Sequence, residues 1–259
     1  MEHQEFEPPA ELRGCVKCFW HLKRAFGALP ARFEVVPDGY AELIFYVGGP
    51  CSLVTPTGLE ALSSPFLVGL LRQPAVFEAQ DELEIVAVRC FPWTVFELLG
   101  LPAGNDGVLD AAHPIARLQG VLAARLRAGQ VAGAVAQLAA YCREVRAGVV
   151  PDSRLARAGG AMLAAHGTLP VSEVAAAAHA TVRTLERNFK QAAGHTVKDV
   201  SGLMRFEQVR NRLWHEPDTN LAGLAQELGY TDQAHLSREF KRYSGTTPAA
   251  FARRGRRGR

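Results

Sequence analysis

The chain has 259 residues, 48% of them apolar and 21% charged, with a formal net charge of +3, which is enough for two domains with a core each. No uninterrupted apolar run reaches membrane-spanning length, and the N-terminal MEHQEFEPPAEL is acidic and polar, unlike a secretory leader, so a soluble, cytoplasmic protein is expected. The charge is unevenly placed: residues 1–150 hold 12 Lys and Arg against 16 Asp and Glu, a net of −4, whereas residues 151–259 hold 17 against 10, a net of +7.

From about residue 12 to 90 the apolar runs are short and β-like: CVKCFWHL, RFEVV, AELIFYVG, CSLVT, PFLVGLL, AVFEA and LEIVAVRCF. Turn signals separate them, notably Pro37-Asp38-Gly39 and Gly48-Gly49-Pro50. Many short strands at this spacing predict a sandwich or small barrel. PWTVFELLG then reads as a short helix between Pro92 and Gly100, and two longer helices are expected over 115–127 and 131–146. AGVVPDS at 147–153 carries Gly, Pro, Asp and Ser where the charge balance changes, which sets a boundary between domains 1–150 and 151–259. After it the pattern is helical, over 155–166, 171–178, 182–193, 197–215, 221–228, 233–243 and a last turn at 248–252. The expected class is α+β: a β-rich domain with trailing helices, then an all-α domain. The final RRGRRGR has no apolar residue and is expected to be a disordered tail with a sequence-blind affinity for phosphate.

The five cysteines are Cys15, Cys18, Cys51, Cys90 and Cys142; an odd number in such a chain argues against a disulfide framework. Cys15 and Cys18 form a C-x-x-C in a stretch that reads as a strand, where positions three apart face opposite sides. No second C-x-x-C or histidine pair completes a zinc site, so no metal is expected. A Gly-x-Ser-x-Gly elbow, a Walker loop and an H-E-x-x-H are absent from the sequence, and neither an enzyme nor a cofactor is implied.

The most informative feature is a repeat. LERNFKQAAGHT at 185–196 recurs as LSREFKRYSGTT at 236–247. Each copy ends a pair of short helices: Thr181 can cap the second helix of the first pair, Leu185 and Phe189 (then Leu236 and Phe240) fall on one face, and Gly194 and Gly245 stop the helices. This is helix-turn-helix grammar, in which the second helix enters the major groove. Two copies in the basic half point to DNA rather than to a packing hairpin. A helix over 197–215 joins them; nineteen residues span roughly 28 Å, against roughly 34 Å for one DNA turn, with the flanking turns supplying the rest.

The segment from Leu155 to Phe251 resembles the DNA-binding domain of the AraC/XylS transcription regulators, most closely in LAQELGYTDQAHLSREFKRYSGTTPAAF. The first unit departs from the family pattern, with His179 where glycine is usual and Thr181 where serine is common. The resemblance implies base contacts from Arg183, Glu186 and Arg187 in one head and from Gln233, Ala234, His235 and Arg238 in the other, with Thr184 a further DNA-binding residue of the first. These are chemically apt, since Arg pairs bidentately with guanine and Gln with adenine; Glu186 could instead pair with a nearby Arg. Lys190, Lys241 and Arg242, toward the helix ends, suit phosphate. The first half is similar to the β-rich sensory or oligomerisation domains joined to such regulators, on the strength of FEVVPDGYAELIFYV. Its only histidines are His3, His21 and His113, with no H-x-H, so a cupin-type metal is not expected. Trp20, Phe45, Tyr46, Phe91 and Trp93 are either plain core or the lining of a small-molecule site, with Trp20, Tyr46 and Trp93 the effector candidates. The resemblance implies double-stranded DNA as partner and leaves RNA polymerase, a small-molecule effector and a second copy of the chain open as further partners, with no membrane. The rival reading is a DNA-repair methyltransferase fused to such a domain, using N-terminal cysteine chemistry.

Overall fold

Alternation of apolar and polar side chains builds the N-terminal half into one antiparallel sheet. In the computed structural model, which describes residues 1–100, 107–110, 113–149 and 152–257, its strands are β1 (Glu2–Phe6), β2 (Val16–Val35), β3 (Ala41–Gly48), β4 (Cys51–Thr55), β5 (Gly58–Ala61), β6 (Phe66–Val68), β7 (Ala75–Cys90) and β8 (Val108–Asp110). The hydrogen-bonded order is β1-β2-β7-β3-β6-β8, with β4 paired to both β5 and β7. A helix α1 (Val95–Leu99), a 3-10 turn (Pro114–Leu118) and helices α2 (Gln119–Arg127) and α3 (Val131–Ala147) follow.

Period-two geometry gives the sheet two different faces. One face presents Phe19, Phe45, Val86 and Val88, which pack with Leu98, Leu122, Leu126 and Leu138 of the helices in one buried cluster. The alternate positions Trp20, Leu22, Ile44, Tyr46 and Ile85 line a cavity on the other side. The β3–β4 turn needs glycine for a steric reason: a Cβ at Gly48 would lie 2.0 Å from the Glu82 carbonyl oxygen, and one at Gly49 2.0 Å from that of Gln80.

The strands differ from the sequence reading in length. CVKCFWHL and RFEVV belong to the single strand β2, and AVFEA and LEIVAVRCF to β7. The ladder between them shifts register around Gly27, opposite Asp81. Both residues have positive φ, 82° and 60°, so the pair bends there without ending, as bulged strands do. Three short strands had no apolar pattern to announce them. β1 is almost wholly exposed and is held by its pairing to β2, Phe6 opposite Phe19; β5 is exposed throughout, and β8 pairs with the three-residue β6. Cys15 lies in the turn before β2 rather than in the strand, its Sγ donating to the Leu12 carbonyl at 3.3 Å.

The second unit is helical: α4 (Ser153–Ala164), α5 (Val171–Ala177), α6 (Val182–Ala193), α7 (Val197–His215), α8 (Leu221–Glu227), α9 (Gln233–Ser244) and α10 (Pro248–Arg257). Asp152 caps α4 by accepting from the Arg154 N–H at 2.8 Å, so this helix starts two residues earlier than its apolar pattern does. The basic tail is not a disordered extension through Arg257: α10 continues over ten residues where only a turn to 252 is expected, because Phe251 anchors its first turns against Phe240 (5.4 Å) and Trp214 (6.4 Å). None of the described helices is long and apolar enough to cross a membrane.

Leu185, Phe189, Leu236 and Phe240 are buried to 1% exposure or less. Phe189→Ala and Phe240→Ala are each expected to destabilise the helical unit by about 3–5 kcal/mol. Denaturant unfolding curves for the two variants check this, and parent-like midpoints would mean that the helix phase is wrong.

Candidate nucleic-acid interface

The first helix pair is α5 and α6. Thr181 caps α6, its hydroxyl oxygen accepting from the Thr184 N–H at 3.2 Å. The second pair is α8 and α9, where Asp232 caps α9 by accepting from the His235 N–H at 2.7 Å. Both second helices end at a left-handed glycine, Gly194 and Gly245. The turns between the helices are not identical. The left-handed residue at the break is His179 in the first pair (φ 50°) and Gly229 in the second (φ 69°); glycine adopts this geometry without the steric cost that His179 carries. From the break to the buried leucine is six residues in the first unit and seven in the second, so Thr231 is an added residue in the second turn.

With the cores aligned, the outward positions can be read directly. In α6, Arg183, Arg187 and Lys190 are exposed; in α9, Gln233, Ala234, Arg238, Lys241 and Arg242 are. Three candidates are engaged within the protein. Thr184 accepts the Thr181 hydroxyl at 3.0 Å. His235 turns back onto its own turn, its Nδ1 3.3 Å from the Thr231 hydroxyl and its ring edge-on to Tyr230. Glu186 pairs with no arginine among the described residues; its carboxylate instead accepts the Val197 N–H at 3.2 Å. That N–H is an orphan donor at the start of α7. The matching positions of the second unit are Ser237 and Pro248, and proline has no N–H to satisfy. The divergence of Glu186 from Ser237 follows from this difference. One exposed residue escaped the sequence reading: Val182, 43% exposed at the first position of α6 where α9 has Gln233. An apolar side chain just outside the core phase was its only signal.

The helix that carries both heads is α7. A reciprocal capping box starts it, Thr196 bonding the Asp199 N–H while the Asp199 carboxylate accepts from the Thr196 N–H. Phe206 of α7 packs on Phe240 and Tyr243 of α9, with centroids 5.1 and 5.3 Å away. Arg205, one residue earlier, donates to the Gly167 carbonyl (2.9 Å) and to both Glu239 oxygens (3.3 and 3.4 Å), with its guanidinium 5.2 Å above the Tyr230 ring. Burial, reinforced by the Glu239 charge, pushes the Tyr230 phenol well up from its ordinary value, and the same causes raise Tyr243 to about 12.

In the β unit, Trp20 and Tyr46 line an apolar cavity of about 280 Å³. Trp93 is not at that site: it is buried, and its ring stacks on Phe91 with centroids 5.3 Å apart. Phe45 also points away, into the helix-side core. All five cysteines are buried. Burial pushes the thiols of Cys18 and Cys51 up to about 11 and that of Cys142 to about 12.

Two helix-turn-helix units in tandem on one long helix are the architecture of a double-headed DNA-binding module. Residues 153–254 match the family model described as a helix-turn-helix domain, and residues 4–105 match one described as a domain of unknown function, DUF6597. The HTH-type transcriptional regulator RipA of Corynebacterium diphtheriae is 30% identical over 104 residues, which are 39% of this chain and 30% of RipA; the chain thus spans less than a third of that relative's length. Among solved structures, the DNA-binding domain of AdpA, a global transcriptional factor in complex with a target DNA, aligns at 25% identity over 42% of this chain and 97% of its own, with a TM-score of 0.38. ToxT of Vibrio cholerae O395, bound to (E)-4-(8-methylnaphthalen-1-yl)but-3-enoic acid, aligns at 9% identity over 98% and 100% of the two chains, with a TM-score of 0.48. Residues 153–254 of this chain form a helix-turn-helix domain.

Arg205 and Glu239 have side-chain exposures of only 13% and 15%. Removing one partner strands the other, so Glu239→Ala is expected to cost about 3–5 kcal/mol, with Arg205→Met, Glu239→Met together costing less than Glu239→Ala alone. A double-mutant cycle by chemical denaturation reads the difference, and additive losses would show that the pair is not coupled.

Proposed function

We propose that the chain is a sequence-specific DNA-binding transcriptional regulator whose residues 151–259 read two successive major-groove segments, under the control of a small molecule bound by residues 1–150. The observation that carries this reading is the pair of outward faces on α6 and α9: Arg183 and Arg187 in one, Gln233 and Arg238 in the other. Arg presents a planar fork to guanine, Gln a donor and acceptor to adenine, and Ala234 a methyl contact to thymine. Lys190, Lys241 and Arg242 sit a turn or more along the helices and supply phosphate contacts. Thr184 and His235 act on DNA through the turns they brace. The +7 charge of this half favours the approach to DNA.

α7 separates the heads by roughly 28 Å of helix, near the pitch of the duplex. The units are successive along one chain rather than mates across a two-fold axis, so one protomer reads an asymmetric site. RNA polymerase and a second protomer are further partners of this reading. The methyltransferase alternative needs an accessible, activated cysteine, whereas all five cysteines are buried and burial raises the thiols of Cys18, Cys51 and Cys142.

Binding to duplex DNA is expected to weaken steeply as salt rises, through counterion release. Arg187→Ala is expected to relax preference by about 1–3 kcal/mol at one group of base pairs and Arg238→Ala at another, roughly 10 bp away, while Lys190→Ala weakens all sequences alike. Base-by-base binding profiles of the full chain test this; a salt-independent affinity, or a loss by both Arg variants at the same base pairs, sinks the two-headed model.

A further inference from the structure

The cavity of the β unit is lined mainly by apolar side chains, among them Leu22, Ile44, Phe66, Phe77 and Ile85. At about 280 Å³ it is nearly twice the size of an engineered cavity of roughly 150 Å³ that holds benzene, so a phenyl ring with a short chain fits it. Its polar groups are few and unevenly matched. Arg89 and Glu42 both line it and are joined by a direct hydrogen bond from the Arg89 Nε to the Glu42 carboxylate, and Arg89 is also 3.7 Å from the carboxylate of Glu5, which is not in the lining. The Tyr46 hydroxyl is spent on the Leu62 carbonyl at 2.6 Å.

Two groups stand out against that balance. Arg24 lines the cavity with its Cζ 4.5 Å above the Phe26 ring and 5.7 Å from that of Phe33, and among the described residues no carboxylate pairs with it. Stacking uses the face of a guanidinium and leaves the N–H donors in its plane available. Trp20, which also lines the cavity, is 8% exposed, and among the described residues its buried indole N–H finds no acceptor. A buried donor without a partner costs about 1–3 kcal/mol, and it sits in the wall of the same cavity as an uncompensated cation.

We propose that this cavity binds an amphipathic organic monoanion, an aromatic or aliphatic body of about ten carbons bearing one carboxylate, with Arg24 taking the charge and the Trp20 N–H donating to the ligand. This deepens the regulator reading by naming the chemical class of the controlling molecule, and it rests on that reading only for the consequence of binding. Among the lining residues the Arg89–Glu42 pair is neutral and Arg24 adds a positive charge, so a cation of the same shape is disfavoured.

A matched series separates shape from charge: 4-phenylbutyrate, 4-phenylbutanol and 4-phenylbutylamine, titrated calorimetrically into the full chain. The anion is expected to bind at one site, about 10–100-fold tighter than the alcohol, and the amine most weakly. Arg24→Met should abolish the preference for the anion while leaving the alcohol's affinity nearly unchanged, and Arg24→Lys should keep the order. Trp20→Phe should weaken the anion by about 3–10-fold. An amine that binds as well as the butyrate, an order that survives Arg24→Met, or no heat from any of the three at millimolar concentration overturns the proposal. DNA affinity measured on the same protein without ligand reports on the regulator reading alone: its loss sinks that reading and leaves the titration result standing.

Discussion

The helical unit is organised around Arg205. This one side chain on α7 ties together the Gly167 carbonyl beyond the end of α4, the Glu239 carboxylate on α9 and the Tyr230 ring in the second turn. Its anchor at Gly167 leaves no room for substitution, because a Cβ there would lie 2.4 Å from the Ser201 carbonyl oxygen. Burying an ion pair of this kind adds little net stability, since desolvation offsets most of the Coulomb gain. What it adds is direction. The fork of the guanidinium accepts only one placement of α9 against α7 and of the α4–α5 connection against both, and the azimuth of the second head on the linking helix follows from that.

The two heads solve the same problem with different chemistry. Each must start a following helix immediately after a left-handed glycine, and each start leaves a backbone donor to account for. The first unit accepts the Val197 N–H with Glu186; the second places Pro248 there and removes the donor. Glu186 is thereby engaged within the protein, and the corresponding Ser237 is released from any capping duty. The same logic applies to His235, which closes the longer second turn by meeting Thr231, a residue with no counterpart in the first unit. Divergence between the copies is therefore partly a matter of internal hydrogen bonding and not only of what their outward faces present.

In the β unit, a single sheet does two jobs because alternate residues of each strand point opposite ways. Phe19 and Phe45 close the core under the helices, whereas Trp20 and Tyr46, their neighbours in sequence, face the cavity. The bend at Gly27 and Asp81 allows β2 and β7 to run through both the region paired with β3 and the region paired with β4. That continuity brings Phe33 and Phe77, far along the strands, into the same cavity wall as Trp20.

What the sequence determined by itself was everything that local periodicity and local capping encode: the helix pairs, their buried Leu185, Phe189, Leu236 and Phe240, the caps at Thr181 and Gly194, and the basic faces on α6 and α9. These features repeat within a turn or two of helix, so a linear reading reaches them. Only the tertiary structure decided which aromatic residues form a cavity and which form core. Trp20 and Trp93 look alike in the sequence, but Trp20 lies on the cavity side of β2 whereas Trp93 falls in the turn after β7, buried and stacked on Phe91. It likewise decided that β1 is a strand, since its polar residues acquire that conformation from the hydrogen bonds of β2. Glu186 was assigned to an internal cap for the same reason: the N–H it accepts is eleven residues away and approaches only because Gly194 reverses the chain. Partners distant along the chain leave no periodic trace, and their meeting is settled by packing.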